Sequence, residues 1–414
     1  MSPSETSGHL GHLTVEEERK LQQVWANIIR LFGDQNISQG KPDCRGNGDL
    51  KMTGTSPKSG QLSLIDTAPD RIEEYRKIMT SKSPQVFKKR FWESIKAYNP
   101  DSIILRFLRA RKWDVGNATT MLVSAINWRD EIRIEETIIN RGESVMFETS
   151  HTQCVKDFVA QYKSGKSYVR GTDKDLHPVY VIKVKLHDPH AQSSQTMESY
   201  VLHNIESIRL LVREPNDKAC LIFDLTGFGL RNMDFHLVKF MIQVFESRYP
   251  ETLGLVLVHN APFIFWGIWS VIKGWLDPVI ASKIHFTRGN GDIERFIAND
   301  RRQKSYGGDD TWEYKYVEPV KGENALMEDT VKRDEIQAER EALAIQYEKE
   351  TIQWMAFDPD SKQGKNCNTR RMEIATKLRD NYWSLDPYVR ARTYFDRIGA
   401  VENKKVLNFD PVVG

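Results

Sequence analysis

The order of patterns along the chain predicts an α/β protein: a helical lobe, then a sandwich with a largely parallel sheet, then a helical C-terminal extension. Three observations carry that expectation. From Tyr168 to about Gly308, apolar runs of strand length alternate with segments of helical spacing, as they do where crossover helices link parallel strands. Ala219 to Leu225 and Leu253 to Val258 are continuous apolar runs, which strands buried on both faces show. Residues 70–135 and the tail from Asp309 have helical periodicity and no comparable strand runs.

The elements follow in order. Thr14 and Glu17 stand in capping-box spacing ahead of Leu21, Val24, Trp25, Ile28, Leu31 and Phe32, which share one helical face. That helix is either docked on the body of the protein or an anchor on a membrane surface. From Gly33 to about Gly60 the composition is that of a flexible linker, and 1–65 form one region with the helix. The lobe at 70–135 contains helices over Asp101 to Lys112 and Asp114 to Arg133, each opening on an aspartate able to cap. Arg106, Arg109, Arg111 and Lys112 read as a solvated basic face. In the region 150–308, strands are expected at Val179 to Leu186, Ala219 to Leu225, Leu253 to Val258 and Ile284 to Phe286, with helices at about 197–213 and 233–249. The extension 309–414 is split by charge: 15 acidic against 6 basic residues over 309–360, then 5 against 11 over 361–405. The two halves either pair with each other, or Arg370, Arg371, Lys377 and Arg379 meet an acidic surface.

The segment 263–276 is unusual. Phe263, Ile264, Phe265, Trp266, Ile268, Trp269, Val271, Ile272, Trp275 and Leu276 leave a helix no polar face, so it must be buried or face something apolar. It falls far short of the ~20 residues that a bilayer crossing needs.

Composition excludes several classes. With 59 Lys and Arg against 57 Asp and Glu among 414 residues, the chain lacks the basic excess of a general nucleic-acid binder. Cys44, Cys154, Cys220 and Cys367 lack metal-ligand spacing and fit a reducing, cytosolic compartment. No secretory signal is expected from the first 13 residues. Zinc-protease, nucleophile-elbow and dinucleotide fingerprints are missing from the sequence. The segment from Ala160 to Ser167 approximates a phosphate-binding loop, and 221–224 the strand that accompanies one. Phosphate binding requires a strand before the loop and a helix after it, whereas here the spacing is helical before and extended after. No catalytic residue, metal or cofactor is expected, and the chain does not read as an enzyme.

Leu105-Arg-Phe-Leu-Arg-Ala-Arg-Lys-Trp-Asp114 resembles the N-lobe signature of the CRAL-TRIO lipid-binding family. Tyr249-Pro-Glu251, Asn260-Ala-Pro262, Leu276-Asp-Pro278 and Ser282-Lys-Ile284 resemble successive motifs of its fungal phosphatidylinositol-transfer branch, over about residues 70–308. The resemblance implies an apolar pocket closed by a gate helix, with phosphatidylinositol as ligand. Arg111, Glu251 and Lys283 match the family's headgroup residues, although an ion pair between Glu251 and Lys283 is the plainer alternative for those two. Ala219, Leu221, Phe263, Phe265, Trp266, Trp269, Ile272, Trp275 and Ile280 would belong to pocket or gate. Ala219 and Leu221 replace a Ser and a Thr that help hold phosphatidylcholine, so choline-lipid binding is expected to be weak or absent. Ile280 replaces a Thr that assists the inositol site, and Leu176-His177-Pro178 replaces a Gly-Arg-Pro turn.

The resemblance further implies a monomer of the cytoplasm that visits endomembranes such as endosome, microsome or lipid droplet. Such a protein transfers its lipid or presents it to a lipid-modifying enzyme. Two other readings stay open. In one the pocket holds a sterol, squalene or haem, with His187, His259 or His285 as candidate iron ligands; in the other the C-terminal helices make the chain a membrane-trafficking scaffold.

Overall fold

The computed structural model describes residues 7–33, 69–149, 152–212, 217–402 and 406–407; the expected linker and Cys44 lie outside them. The helices are α1 Val15–Leu31, α2 Pro69–Ser81, α3 Pro84–Ile95, α4 Pro100–Ala110, α5 Val115–Glu131, α6 Gln153–Lys163, α7 Ser194–Ile208, α8 Phe235–Gln243, α9 Phe265–Lys273, α10 Pro278–Ser282, α11 Gly289–Ile293, α12 Thr330–Met355 and α13 Lys362–Val389. The strands of the main sheet are β1 Ser167–Thr172, β2 Pro178–Lys183, β3 Ala219–Asp224, β4 Leu253–His259 and β5 Ile284–Thr287. The chain forms two compact units, one of Ser7–Trp128 with Arg340–Arg379, the other of Arg129–Glu339 with the residues from Asp380 on. The extension from Asp309 is therefore divided between the two, where the sequence suggests a separate region.

The first unit is helical. The Thr14 hydroxyl accepts from Glu17 N and the Glu17 carboxylate from Thr14 N, which is the capping box expected for α1. Trp25, Ile28 and Leu21 are fully buried, so α1 is docked and its apolar face is not available to a membrane. α4 starts one residue earlier than expected, with Asn99 as its cap and Pro100 in the first turn. A proline there has a suitable φ and no N–H to leave unsatisfied. Asp101 is thereby freed from capping and becomes the acceptor at the centre of the unit. It takes hydrogen bonds from Trp25 Nε1 at 2.6 Å, Tyr347 Oη at 2.9 Å and Arg371 Nη2 at 2.6 Å. The Arg371 guanidinium lies 4.0 Å from the Trp354 ring centre.

Two expectations change here. Arg106 is buried against the Tyr98 ring and Arg109 donates to Gly8 O, so these bases are not a solvated face. Arg371 is wholly buried rather than offered to an acidic surface, while Arg370 pairs with Glu350 at 2.8 Å, as opposite charge in the two halves of the tail suggests.

The second unit is built on the sheet, in the order β1-β2-β3-β4-β5, with β1 antiparallel to β2 and the other neighbours parallel. The α/β class and largely parallel sheet expected from the sequence are present. α6 precedes and β1 follows the loop that approximated a phosphate-binding motif, the reverse of what phosphate binding needs. Strand alternation divides the side chains between faces. Tyr168, Val179, Val181, Cys220, Ile222 and Leu257 pack with Ile293, Ile297 and Tyr306 on one face. Ile182, Leu221, Phe223, Val256 and Ile284 are turned to the other.

α7 buries His203, whose Nδ1 is paired with the Tyr162 hydroxyl. Burial, aided by Arg390 and Arg397, lowers its pKa to about 3.

Two predictions follow from these buried groups. Arg371→Met strands the Asp101 carboxylate in the core and should cost about 3–5 kcal/mol in denaturant unfolding. His203 keeps a neutral ring in the folded state while the unfolded chain takes up a proton below about pH 6.5, so its contribution is full above that pH and is lost as pH falls toward 3. Between pH 7 and pH 5 the protein should lose about 2 kcal/mol that a His203→Gln variant does not lose, read as the difference between their stability–pH slopes.

Candidate functional site

Part of the second face of the sheet is covered, by Ile208 of α7 with Leu211, Tyr394 and Phe395. Beneath α8 and α9 it borders a cavity of about 1110 Å³, open mouth included. Of its 24 lining residues only His187, Asn232 and Asp234 are polar. β2 to β5 supply the floor through Ile182, Leu221, Phe223, Val256, Val258 and Ile284, at the alternate positions that strand geometry allots to one face. α8 supplies Leu237, Val238, Met241 and Ile242; α9 supplies Phe265, Trp269 and Ile272; α10 supplies Ile280. A void with this lining has no use for water, which needs several polar partners to stay.

α9 resolves the paradox of a helix without a polar face. Phe265, Ile268 and Ile272 recur at helical spacing and are buried inward. The opposite side is left outside: Phe263, just before the helix, is 93% exposed, Trp266 is 46% exposed, and Ile264 and Val271 are exposed with them. The segment is thus a wall one helix thick, apolar on both surfaces.

Of the residues singled out for pocket or gate, Leu221, Phe265, Trp269, Ile272 and Ile280 line the cavity. Ala219 is buried beside Leu253 and Val256 without reaching it. Trp266 packs on Phe286 at 4.7 Å, and Trp275 packs on Phe235 with the Lys239 ammonium 4.6 Å from its ring centre. Neither ring lines the cavity: Trp266 is on the outer side of α9, and Trp275, just beyond the helix end, is half-buried.

Glu251 and Lys283 come together, Oε2 to Nζ 3.7 Å, with each side chain less than a fifth exposed. Glu251 holds a left-handed backbone conformation, φ +57°, and Lys283 closes α10 while its carbonyl accepts from Val256 N. Cavity residues flank the pair in sequence: Leu253 after Glu251, Ile280 and Ile284 around Lys283. Arg111 belongs to the helical unit, where it ends α4.

His187 is the one candidate iron ligand that lines the cavity. His259 is bonded to Thr287 Oγ1 and meets the Tyr306 ring edge-on, and His285 lies against Phe296, both on the other face of the sheet. The three rings therefore do not converge on a metal. Among the described residues Asp173, Asp175 and His177 come close enough to share a cation, but Asp173 already accepts from His177 Nδ1 and from two backbone amides of its own turn.

Sequence reasoning did not single out the α8 side of the cavity, nor Asn232 and Asp234 among its polar lining. The signal for α8 was present in Phe235 to Phe245, a run greasier than one buried helical face requires, and in Met241, a residue suited to irregular contacts.

The CRAL/TRIO domain matches residues 162–308 and the CRAL/TRIO N-terminal domain residues 72–124. A CRAL-TRIO domain-containing protein of Schizosaccharomyces pombe, C3H8.02, is 34% identical over 96% of this chain and 93% of its own. The phosphatidylinositol transfer protein CSR1 of Eremothecium gossypii is 31% identical over 97% of this chain and 100% of its own. The SEC14 cytosolic factor of Yarrowia lipolytica is 33% identical over 48% of this chain and 40% of its own.

Replacing Leu221 by Phe, in the middle of the cavity floor, should reduce the free volume without adding a polar group. The expected result is a folded protein that retains several-fold less lipid per chain than the wild type, measured by extraction and mass analysis.

Proposed function

The chain belongs to the CRAL/TRIO family, and from that premise we propose that it binds phosphatidylinositol and moves it between membranes or presents it to a lipid-modifying enzyme. The observation that carries the reading is an almost wholly apolar cavity flanked in sequence by an acid–base pair, Glu251 and Lys283. A cation suits the phosphodiester and a carboxylate accepts from inositol hydroxyls. Arg111 would be the third headgroup residue, on the strength of the resemblance around it.

The physics of exchange favours such a container. Each buried CH₂ is worth ~0.8 kcal/mol, so two acyl chains leave a bilayer slowly unless another apolar environment receives them. Displacement of α9 would open the cavity, and Phe263, Ile264 and Trp266 already present apolar surface to a bilayer. No helix among the described residues is long and apolar enough to cross a membrane, and binding at the surface of endomembranes is part of the proposal. Phosphatidylcholine is proposed to bind weakly or not at all, because Ala219 and Leu221 offer no hydroxyl to its phosphate.

Lys283→Ala should lower phosphatidylinositol transfer between vesicles by roughly tenfold or more, the scale of a lost charged hydrogen bond. The unfolding midpoint should change little, since the pair is partly solvated. Transfer at the wild-type rate would remove Lys283 from the headgroup site.

A further inference from the structure

The cavity does not extend over the whole of its sheet face, and part of what stops it lies outside the residues that match the CRAL/TRIO domain, 162–308. The strand register sets Val169, Tyr180, Leu221, Val256 and Ile284 opposite one another, one from each strand, so they form a single row across that face. Leu221, Val256 and Ile284 line the cavity, whereas Val169 and Tyr180 are buried and do not. Ala219, two residues before Leu221 and so on the same face, is also buried without lining it.

That corner of the sheet is covered from two sources. Ile208, Leu211 and Val212 come from the end of α7 and the residues after it. Tyr394, Phe395, Ile398 and Ala400 come from the C-terminal extension, and all four are at most 5% exposed. The same packed cluster contains Leu221, Leu253 and Val256, so the covered corner and the cavity floor are one continuous apolar surface. Tyr394 is engaged with the rings of Tyr314 and Tyr316, at 5.2 and 6.2 Å between centres. Phe395 and Ile398 are therefore the bulky groups that the extension adds to the corner.

The segment is held in one geometry. Tyr394–Arg397 is a single helical turn, and Gly399, at φ +75°, reverses the chain so that Ala400 N donates to Phe395 O at 2.9 Å. Asp396 accepts from Thr393 N at 2.7 Å and from Arg390 Nη1 and Nη2 at 2.7 and 2.8 Å. Glu143, wholly buried, accepts from Tyr394 N at 2.7 Å and pairs with Arg397, whose Nε donates to Val317 O at 3.0 Å. Buried polar groups satisfied in this way rigidify what they hold, which suits a fixed wall and not a moving lid.

We propose that Tyr394–Ala400 is a side wall of the lipid cavity, and that Phe395 and Ile398 limit how much acyl chain the cavity takes. This gives the C-terminal extension a part in the choice of lipid, and it rests on the reading of the cavity as a lipid site. With the corner bare, the apolar floor would run on from Leu221 to Tyr180 and Val169, and a flexible acyl chain would turn onto it. With the segment seated, those positions are already packed by protein. A methylene that finds no room inside lowers retention about fourfold, from ~0.8 kcal/mol per buried CH₂.

The test offers the full-length protein vesicles with equal amounts of dipalmitoyl- and distearoyl-phosphatidylinositol, re-isolates it, and measures the ratio of the two retained. Wild type is compared with Phe395→Ala, Ile398→Ala and Ile293→Ala, the last removing a buried side chain from the closed face of the sheet. Because the donor vesicles are the same, their own preference cancels between proteins. The expected distearoyl-to-dipalmitoyl ratio is about tenfold above wild type in the two wall variants, the scale of two methylenes newly accommodated, and unchanged in Ile293→Ala. Should Phe395→Ala fail to fold, Phe395→Leu carries the same test with a smaller rise. Wild-type ratios in both wall variants, with lipid retained, would overturn the wall and leave the cavity reading intact. An equal rise in Ile293→Ala would also overturn it, since loosening of the fold would then be the cause. Retention of neither lipid by any of the proteins, wild type included, would overturn the cavity reading itself.

Discussion

The two-residue period of the sheet is the constraint on which the other features depend. A strand sends successive side chains to opposite faces, and β2 to β5 have large apolar residues on both. One face is closed by Ile293, Ile297 and Tyr306. The other must be covered as well, yet α8 and α9 meet it across a gap that their own side chains do not fill. Close packing is the rule in protein interiors. A cavity with apolar walls suits an occupant whose chemistry matches them, which is the physical basis of the proposed lipid site.

α9 follows from the same constraint. It must cover the cavity, so its inner side is apolar, and on the present reading it must also move at a membrane, which accounts for an outer side that is apolar too. Its neighbour α10 is short, capped by Asp277, and carries Ile280 to the cavity and Lys283 to Glu251. A displacement of this wall would act on the apolar contacts and on the acid–base pair together.

Much of this was legible in the chain. The Thr14–Glu17 box, the apolar runs of β3 and β4, and the excess of aromatic residues around Trp269 are local patterns with one structural solution each. What was not legible depends on partners distant in sequence. Nothing near Asp101 indicates that it will accept from Arg371, 270 positions away, and nothing near Arg106 announces the Tyr98 ring. The periodicity of a helix apolar all round cannot say which side faces inward, so Trp266 and Trp269 looked equivalent until the fold separated them. His187 was visible only as one of three candidate histidines; the side chains it contacts, Lys166 and Asp234, come from different elements. The proposed headgroup residues were reached through motif resemblance, and the geometry adds that two of them, Glu251 and Lys283, are neighbours.

The most direct test of the central claim is an experimental structure of the protein purified from a eukaryotic host without detergent. The account predicts continuous density for acyl chains between Leu221, Val256 and Trp269, leading to a headgroup at Lys283. A cavity filled by ordered water, or one closed by inward movement of α9 onto β3 and β4, would contradict it.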